Sequence, residues 1–296
     1  MIYTITFNPA VDYIMKMDTL SIGATNRSVS EGIFYGGKGI NVSCVLKELG
    51  EISTALGFVA GFTGKELEDG LKAKGIITDF IHLSKGMTRI NVKLKGDCIT
   101  EINANGPVIE DKDVNMLFEK LNSLKDGDTL VLAGSIPSCL PQDIYEQILS
   151  RLGDKKIRTV VDAEGKLLLN TLKYKPFLVK PNEDELSAIC GKKLDTEEEI
   201  ISAARSLQEK GALNVLVSRG DKGAILLSDE NKVYKSDAHK IKAVNTVGAG
   251  DSMVAGFLVG IKNGYDYALT LGTATGAATA EVDGLSVKSE ILKFVN

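Results

Sequence analysis

The sequence predicts an α/β fold, a layered core on a mostly parallel central sheet with a small separate β-sheet attached. Three observations carry that expectation. Short apolar runs recur between helix-like stretches through most of the chain. Two glycine-rich turns each open onto a helix-like stretch, one near residue 37 and one near residue 249. Four other short runs, within 10–35 and 88–104, alternate apolar and polar residues instead.

Residues 2–7 alternate and read as a strand, as do 13–17, 28–34, 90–94 and 99–102. The last two are joined by Lys95-Gly96-Asp97-Cys98, whose Gly-Asp pair suits a hairpin. Strands with one polar face do not fit a parallel sheet covered on both sides, so the four after the first form a sheet of their own. Residues 43–49 read as a helix running into Gly50. Residues 129–132 form a buried strand, followed by a helix over 141–152 with Pro141 in its first turn. The runs 159–161, 177–179 and 215–217 are further core strands, and helices over 250–263 and 265–280 follow the second glycine turn. No internal repeat or low-complexity linker interrupts the chain, which predicts one domain over 1–296. The small sheet carries Ile14, Ile33, Ile90, Val92 and Ile102, an apolar face that is unstable in water. Pairing with a second copy would cover it, so a homodimer through this sheet is expected.

The most informative stretch is Gly248-Ala249-Gly250-Asp251-Ser252, followed by an apolar run. The glycines allow a tight bend, and a helix starting near Ala249 would present unpaired N–H groups and the positive end of its dipole. Asp251 in that first turn can accept a proton from a hydroxyl that attacks phosphorus. The same residues also suit a plain loop-to-helix cap. They match neither a Walker A loop, lacking a terminal Gly-Lys-Ser/Thr, nor a dinucleotide fingerprint. The other glycine turn, Gly36-Gly37-Lys38-Gly39-Ile40-Asn41, adds a cation suited to phosphate and an amide suited to sugar hydroxyls. Two such helix starts suit two ligands, one at each end of a transfer reaction.

With these turns, the chain resembles the ribokinase/phosphofructokinase-B superfamily of sugar kinases over nearly its whole length. Asn8-Pro9-Ala10-Val11-Asp12, Gly36-Gly37-Lys38-Gly39, Gly134-Ser135-Ile136-Pro137, Lys180-Pro181-Asn182-Glu183-Asp184-Glu185 and Val247-Gly248-Ala249-Gly250-Asp251 stand in the family's order. Thr88-Arg89-Ile90-Asn91-Val92-Lys93 and Thr100-Glu101-Ile102-Asn103 resemble the branch that phosphorylates fructose 1-phosphate. A sister branch acting on tagatose 6-phosphate shares most of the frame.

The resemblance implies a ribokinase-like three-layer α/β/α core, with the small sheet (10–35 and 88–104) as a lid over the sugar. It implies an ATP- and Mg2+-dependent kinase that converts fructose 1-phosphate to fructose 1,6-bisphosphate. Tagatose-6-phosphate kinase is the alternative, and a non-catalytic sugar-phosphate sensor a more distant one. Asp251 matches the catalytic base, and Gly248, Ala249 and Gly250 the anion hole. Asp12, Arg27, Gly37, Lys38, Asn41, Arg89 and Ser135 match the substrate side. Lys180, Asn182, Ser218 and Gly220 match the nucleotide side, with Glu185 acting on the metal through water. Two departures stand out. Ser138-Cys139 follows Gly-Ser-x-Pro where Pro-Gly is usual. Asn245 stands where many members carry an aspartate that helps bind a monovalent cation.

A phosphorylated acceptor also follows from chemistry, because a dianion needs cations. Arg27, Lys38 and Arg89 can supply them if the fold brings them together. The formal net charge of −4 with mixed signs and no basic tract argues against nucleic acid. No apolar run reaches membrane-spanning length and no cationic leader precedes the first strand, so a cytoplasmic enzyme without membrane contact is expected. The four cysteines match no zinc or redox spacing and read as reduced thiols, with Cys139 beside the substrate loop. His82 and His239 have no base–nucleophile context.

Overall fold

The computed structural model describes residues 1–295. The chain runs β1 (Ile2–Thr6), β2 (Ala10–Lys16), β3 (Ser30–Gly36), α1 (Lys38–Glu48), β4 (Ser53–Ala60), α2 (Gly61–Ala73), β5 (Ile77–Thr78), β6 (Ile81–Leu83), β7 (Arg89–Lys95), β8 (Ile99–Ile102) and α3 (Asp111–Asn122). It continues through β9 (Thr129–Ala133), α4 (Ile144–Leu152), β10 (Arg158–Asp162), α5 (Gly165–Thr171), β11 (Leu178–Val179), α6 (Glu183–Cys190), α7 (Glu197–Glu209), β12 (Asn214–Ser218), β13 (Ala224–Leu227) and β14 (Val233–Ser236). It ends with α8 (Ala249–Gly260), α9 (Tyr265–Ala280) and α10 (Lys288–Ile291).

The large sheet has the order β14-β13-β12-β11-β10-β9-β1-β4-β5, with β6 also pairing β4. Its pairs are parallel except β12–β13 and β13–β14. Side chains on a strand alternate between faces, and here both faces are apolar. Leu130 and Leu132 of β9 join the core packed with α3, α4, α5, α6 and α7. Val131 and Ala133 of the same strand join the core under α1, α8, α9 and α10. Helices on both faces make three layers, which is why these strands read as continuous apolar runs.

Several boundaries differ from the sequence expectation. Helix α1 begins at Lys38, not near residue 43, because Gly37 turns the chain at φ 127° and Thr6 Oγ1 accepts from Ile40 N at 3.0 Å. That acceptor comes from β1 and leaves no local signal. Pro141 precedes α4 instead of opening it: Ile144 N donates to Pro141 O at 3.1 Å in a separate turn. Helix α8 begins at Ala249, and Ile261–Asn263 forms a 3-10 turn after it.

The expected separate sheet has the order β3-β2-β7-β8. Register sorts its two faces. Tyr13 pairs with Ile33 and Val92, and Val92 with Ile102, so these four share a row on one face. Ile33 and Ile102 there are 54% and 57% exposed. Ile90 lies on the same face but is partly covered by the small core that includes Ile40, Leu67 and Leu71. Ile14 is a correction: it pairs with Gly32 and Lys93 on the opposite face and is buried. That opposite face carries Asp12, Arg89, Asn91 and Lys93 and looks toward the carboxyl ends of the core strands. Among the described residues no helix is long and apolar enough to cross a membrane.

Leu132 is fully buried in the middle of the large sheet. Leu132→Ala is therefore expected to cost about 2–5 kcal/mol, from lost burial and the cavity left behind. Urea unfolding at neutral pH checks this, and a loss within about 0.5 kcal/mol, as at a surface site, would place Leu132 outside the core.

Candidate active site

A cavity of about 470 Å3 lies between the polar face of the small sheet and the carboxyl ends of β1, β9, β10 and β12. Ligands collect at such strand ends in open parallel sheets, because the helix N-termini that follow point the same way.

Asp251 sits on the core side of this cavity. Gly248 takes the left-handed conformation, φ 84°, and turns the chain into α8 with no side-chain cap. Ser252 N is the first amide to bond within the helix, to Gly248 O at 2.9 Å, so Gly250 and Asp251 keep N–H groups without an intrahelical partner. The Ala249 N–H turns back onto Thr246 O at 3.2 Å, so it is not among the amides free for an anion. Gly250 lies close to Lys180: a Cβ there would meet its Nζ at 3.1 Å. Asp251 Oδ2 accepts from Asn41 Nδ2 at 2.8 Å, joining the two glycine turns that are far apart in sequence. Burial, and then the charge of Asp162, push the Asp251 carboxyl up to about 6, against the opposing Asn41 bond and the charges of Lys38 and Lys180. A carboxylate tuned toward neutrality suits a general base.

Asp162, at the end of β10, is the principal site residue that sequence reasoning missed. It is buried, lies 3.6 Å from Lys38 Nζ and 3.4 Å from Lys180 Nζ, and its Oδ1 has no hydrogen-bond partner. Burial works against the Lys38 ammonium, but Asp162, Asp251, Glu185 and Glu164 outweigh it and hold its pKa above the ordinary value. The signal for Asp162 was present: like Lys180 and Ser218, which the family resemblance marks, it stands at the carboxyl end of a core strand, where ligands collect.

The small sheet supplies the facing wall. Asn91 Nδ2 donates to Asp12 Oδ1 at 2.8 Å. Burial raises the Asp12 pKa, with Lys93, the Asn91 bond and Arg89 opposing. A Cβ on Gly36 would collide with Asp12 Oδ2, so that glycine lets the carboxylate lie flat across β3. Arg89 lines the cavity, with its buried Nε unpartnered and Nη1 reaching Ala104 O at 3.5 Å. Lys93 is buried on the same face, 3.7 Å from Glu101. Asn91 and Lys93 were also missed. Their spacing of two and four residues from Arg89 on β7, which keeps all three on one face, was the available cue.

Gly37, Asn41, Ser135, Asn182, Glu185, Ser218 and Gly248 line the cavity as expected. Asn182 and Glu185 bind each other's backbone, with Glu185 N to Asn182 Oδ1 at 2.7 Å and Asn182 N to Glu185 Oε2 at 2.8 Å, a capping box on α6. Ala249 is not on the cavity lining, and two further expected residues are not brought here. Arg27 is exposed in the β2–β3 connection, at the Lys16–Ser30 end of the strands and away from Asp12. Asn26 ties that loop to itself through Ser21 and Ala24. Gly220 lies beyond Ser218, in a 3-10 turn outside the cavity wall. Cys139 is exposed, and its thiol reaches only Pro107 O, at 4.0 Å. His82 pairs with Glu68, and His239 packs edge-on against Phe294, neither of them on the cavity.

The chain matches the model of the pfkB family of carbohydrate kinases over residues 6–291. It is 46% identical to the 1-phosphofructokinase of Bacillus subtilis, over 100% of this chain and 97% of that one. It is 38% identical to the D-tagatose-1-phosphate kinase of Bacillus licheniformis, over 98% and 96% of the two chains. In structure it superposes on Escherichia coli phosphofructokinase-2, in complex with substrates and products, with a TM-score of 0.94 at 27% identity, covering 99% and 98% of the chains. The fold, the cavity and these matches agree, and the chain belongs to the pfkB family of carbohydrate kinases.

Proposed function

We propose that this chain is an ATP- and Mg2+-dependent 1-phosphofructokinase. In that reaction Asp251 takes the proton from the 6-hydroxyl of fructose 1-phosphate. The freed oxygen bonds to the γ-phosphorus of ATP, the bond to the β–γ bridging oxygen breaks, and ADP leaves. The observation that carries this reading is the buried Asp251 at the open N-terminus of α8, across one cavity from Asp12, Asn91 and Arg89.

The other roles follow from position. Asp12, held by Asn91, accepts from sugar hydroxyls, and Asn41 orients Asp251. Arg89 and Lys93 are the cations on the sugar side for the existing phosphate. Lys38 and Lys180 face the transferring phosphoryl group, which the Gly250 and Asp251 amides meet at the helix end. Asn182 and Ser218 lie on the nucleotide side. The carboxylates of Glu185, Glu164 and Asp162 are hard oxygen donors that fit Mg2+ held mainly by phosphates and water. Bound there, the ion would neutralise charge on the phosphates. The small sheet acts as a lid within a single kinase domain.

Both sequence relatives named above act, by their names, on ketohexose 1-phosphates. That favours fructose 1-phosphate over tagatose 6-phosphate as acceptor. A non-catalytic sensor has no need of a buried carboxylate at the helix end, where burying its charge costs stability.

Asp251→Asn is expected to lower turnover with Mg-ATP and fructose 1-phosphate by at least about a hundredfold, the general-base contribution. Turnover near the wild-type value would remove Asp251 from that role. The same variant tests the electrostatics. The folded carboxyl, raised to about 6, lies above its unfolded value. The Asp251 contribution to stability therefore rises as pH falls through about 6, and above that the ionised group destabilises the fold. Asp251→Asn should be more stable than wild type at pH 8, with the gain shrinking as pH falls from 7 to 5. Urea unfolding across that range checks it, and a pH-independent difference would contradict the raised carboxyl.

The row of Ile33, Tyr13, Val92 and Ile102, with Ile33 and Ile102 exposed and the other two half-buried, leads us to propose a homodimer through the small sheet. Light scattering at micromolar protein should give twice the chain mass, and Ile33→Asp/Ile102→Asp should give a monomer. A monomeric wild type would overturn this.

A further inference from the structure

The segment 283–285 touches both the small sheet and the turn that opens α8, and neither the motifs nor the proposed roles use it. On one side it meets the small sheet. Asp283 accepts from Lys16 of β2 at 2.7 Å and from Lys95 of β7 at 3.1 Å. The two lysines hold its carboxyl below the usual range, through hydrogen bonds first. The neighbouring Gly284 lies so close to Phe34 of β3 that a Cβ would meet the ring at 2.9 Å. Three of the four small-sheet strands thus rest on two consecutive residues.

On the other side the segment meets the turn that opens α8. Asn245 Nδ2 donates to the Asp283 carbonyl at 3.0 Å, and Asn245 Oδ1 accepts from Val247 N at 3.1 Å. One partner is an acceptor and the other a donor, so the amide has a single satisfying orientation. Leu285 closes the same side: a Cβ on Gly248 would meet its Cδ2 at 2.8 Å. The backbone of Asp283 is therefore braced to the anion-binding turn, while its side chain holds the sheet that carries Asp12, Asn91 and Arg89.

We propose that Asp283 is a positioning residue that couples the seating of the small sheet to the alignment of the Gly248–Asp251 turn, with Asn245 as the link. The inference rests on the kinase reading for its purpose, but its physical content is a coupling within the free protein. An isolated, half-exposed ion pair contributes little to stability. Two lysines from different strands on one carboxylate restrict where the sheet sits. The carbonyl of the same residue passes that restriction to the turn through two hydrogen bonds.

Hydrogen exchange in the ligand-free, full-length protein tests the coupling without relying on turnover. Lys16 and Lys95 touch Asp283 and have no contact with the turn. Lys16→Ala/Lys95→Ala is expected to speed exchange of the Val247 and Ala249 amides, the hydrogen-bonded ones within 246–250, by about tenfold, and Asp283→Ala to do the same. Adding Asp283→Ala to the double variant should bring no further increase, because both break one connection. Amides of β9 should stay at the wild-type rate, which separates coupling from general loosening. If the lysine variant leaves 246–250 at the wild-type rate, or speeds β9 equally, the coupling is absent. Wild-type turnover of fructose 1-phosphate, measured separately, reports on the kinase reading and leaves the exchange result untouched.

Discussion

Burying one carboxylate at the positive end of a helix is the constraint around which this molecule is arranged. Asp251 cannot be buried alone, because an isolated ionised carboxylate in a dry interior is far too costly. The structure meets that cost with several partial compensations. The α8 N-terminus offers unpaired amides, Asn41 donates one hydrogen bond, and Lys38 and Lys180 bring positive charge. The buried Asp162 works against them and keeps the Asp251 carboxyl raised, at about 6. The balance leaves a base near neutrality instead of an inert carboxylate.

The architecture follows from holding those groups in place. Lys38 and Asn41 enter from α1, Asp162 from the end of β10, Lys180 from the residue after β11, and Asp251 from α8. A parallel sheet with helices on both faces brings that many strand ends and helix starts to one edge. The small sheet then closes the other side, with polar residues inward and apolar residues outward, the alternation that sets these strands apart from the core strands in the sequence.

Much of this arrangement is legible in the amino-acid sequence. The glycine turns, the strand–helix alternation and the alternating small-sheet strands are visible there, and the family's motifs mark Lys180 and Ser218. The rest is hidden for physical reasons. The start of α1 depends on Thr6, which lies in β1. Arg27 looks like a phosphate ligand beside a glycine turn, but its loop is fixed by Asn26 at the far end of the sheet. Asp162 shows in the sequence only its place at a strand end; its pairing is hidden, because its two lysine partners arrive from distant segments. Asp283 carries no motif, since its role depends on contacts with two elements that only the fold brings together.

Acceptor choice by the purified protein tests the proposed chemistry most directly. ADP release with Mg-ATP is measured for fructose 1-phosphate, fructose 6-phosphate, tagatose 1-phosphate and tagatose 6-phosphate. The highest kcat/KM is predicted for fructose 1-phosphate, by at least about tenfold. Preference for tagatose 1-phosphate or for either 6-phosphate would contradict the assigned acceptor, and no turnover with any of the four would contradict the kinase itself.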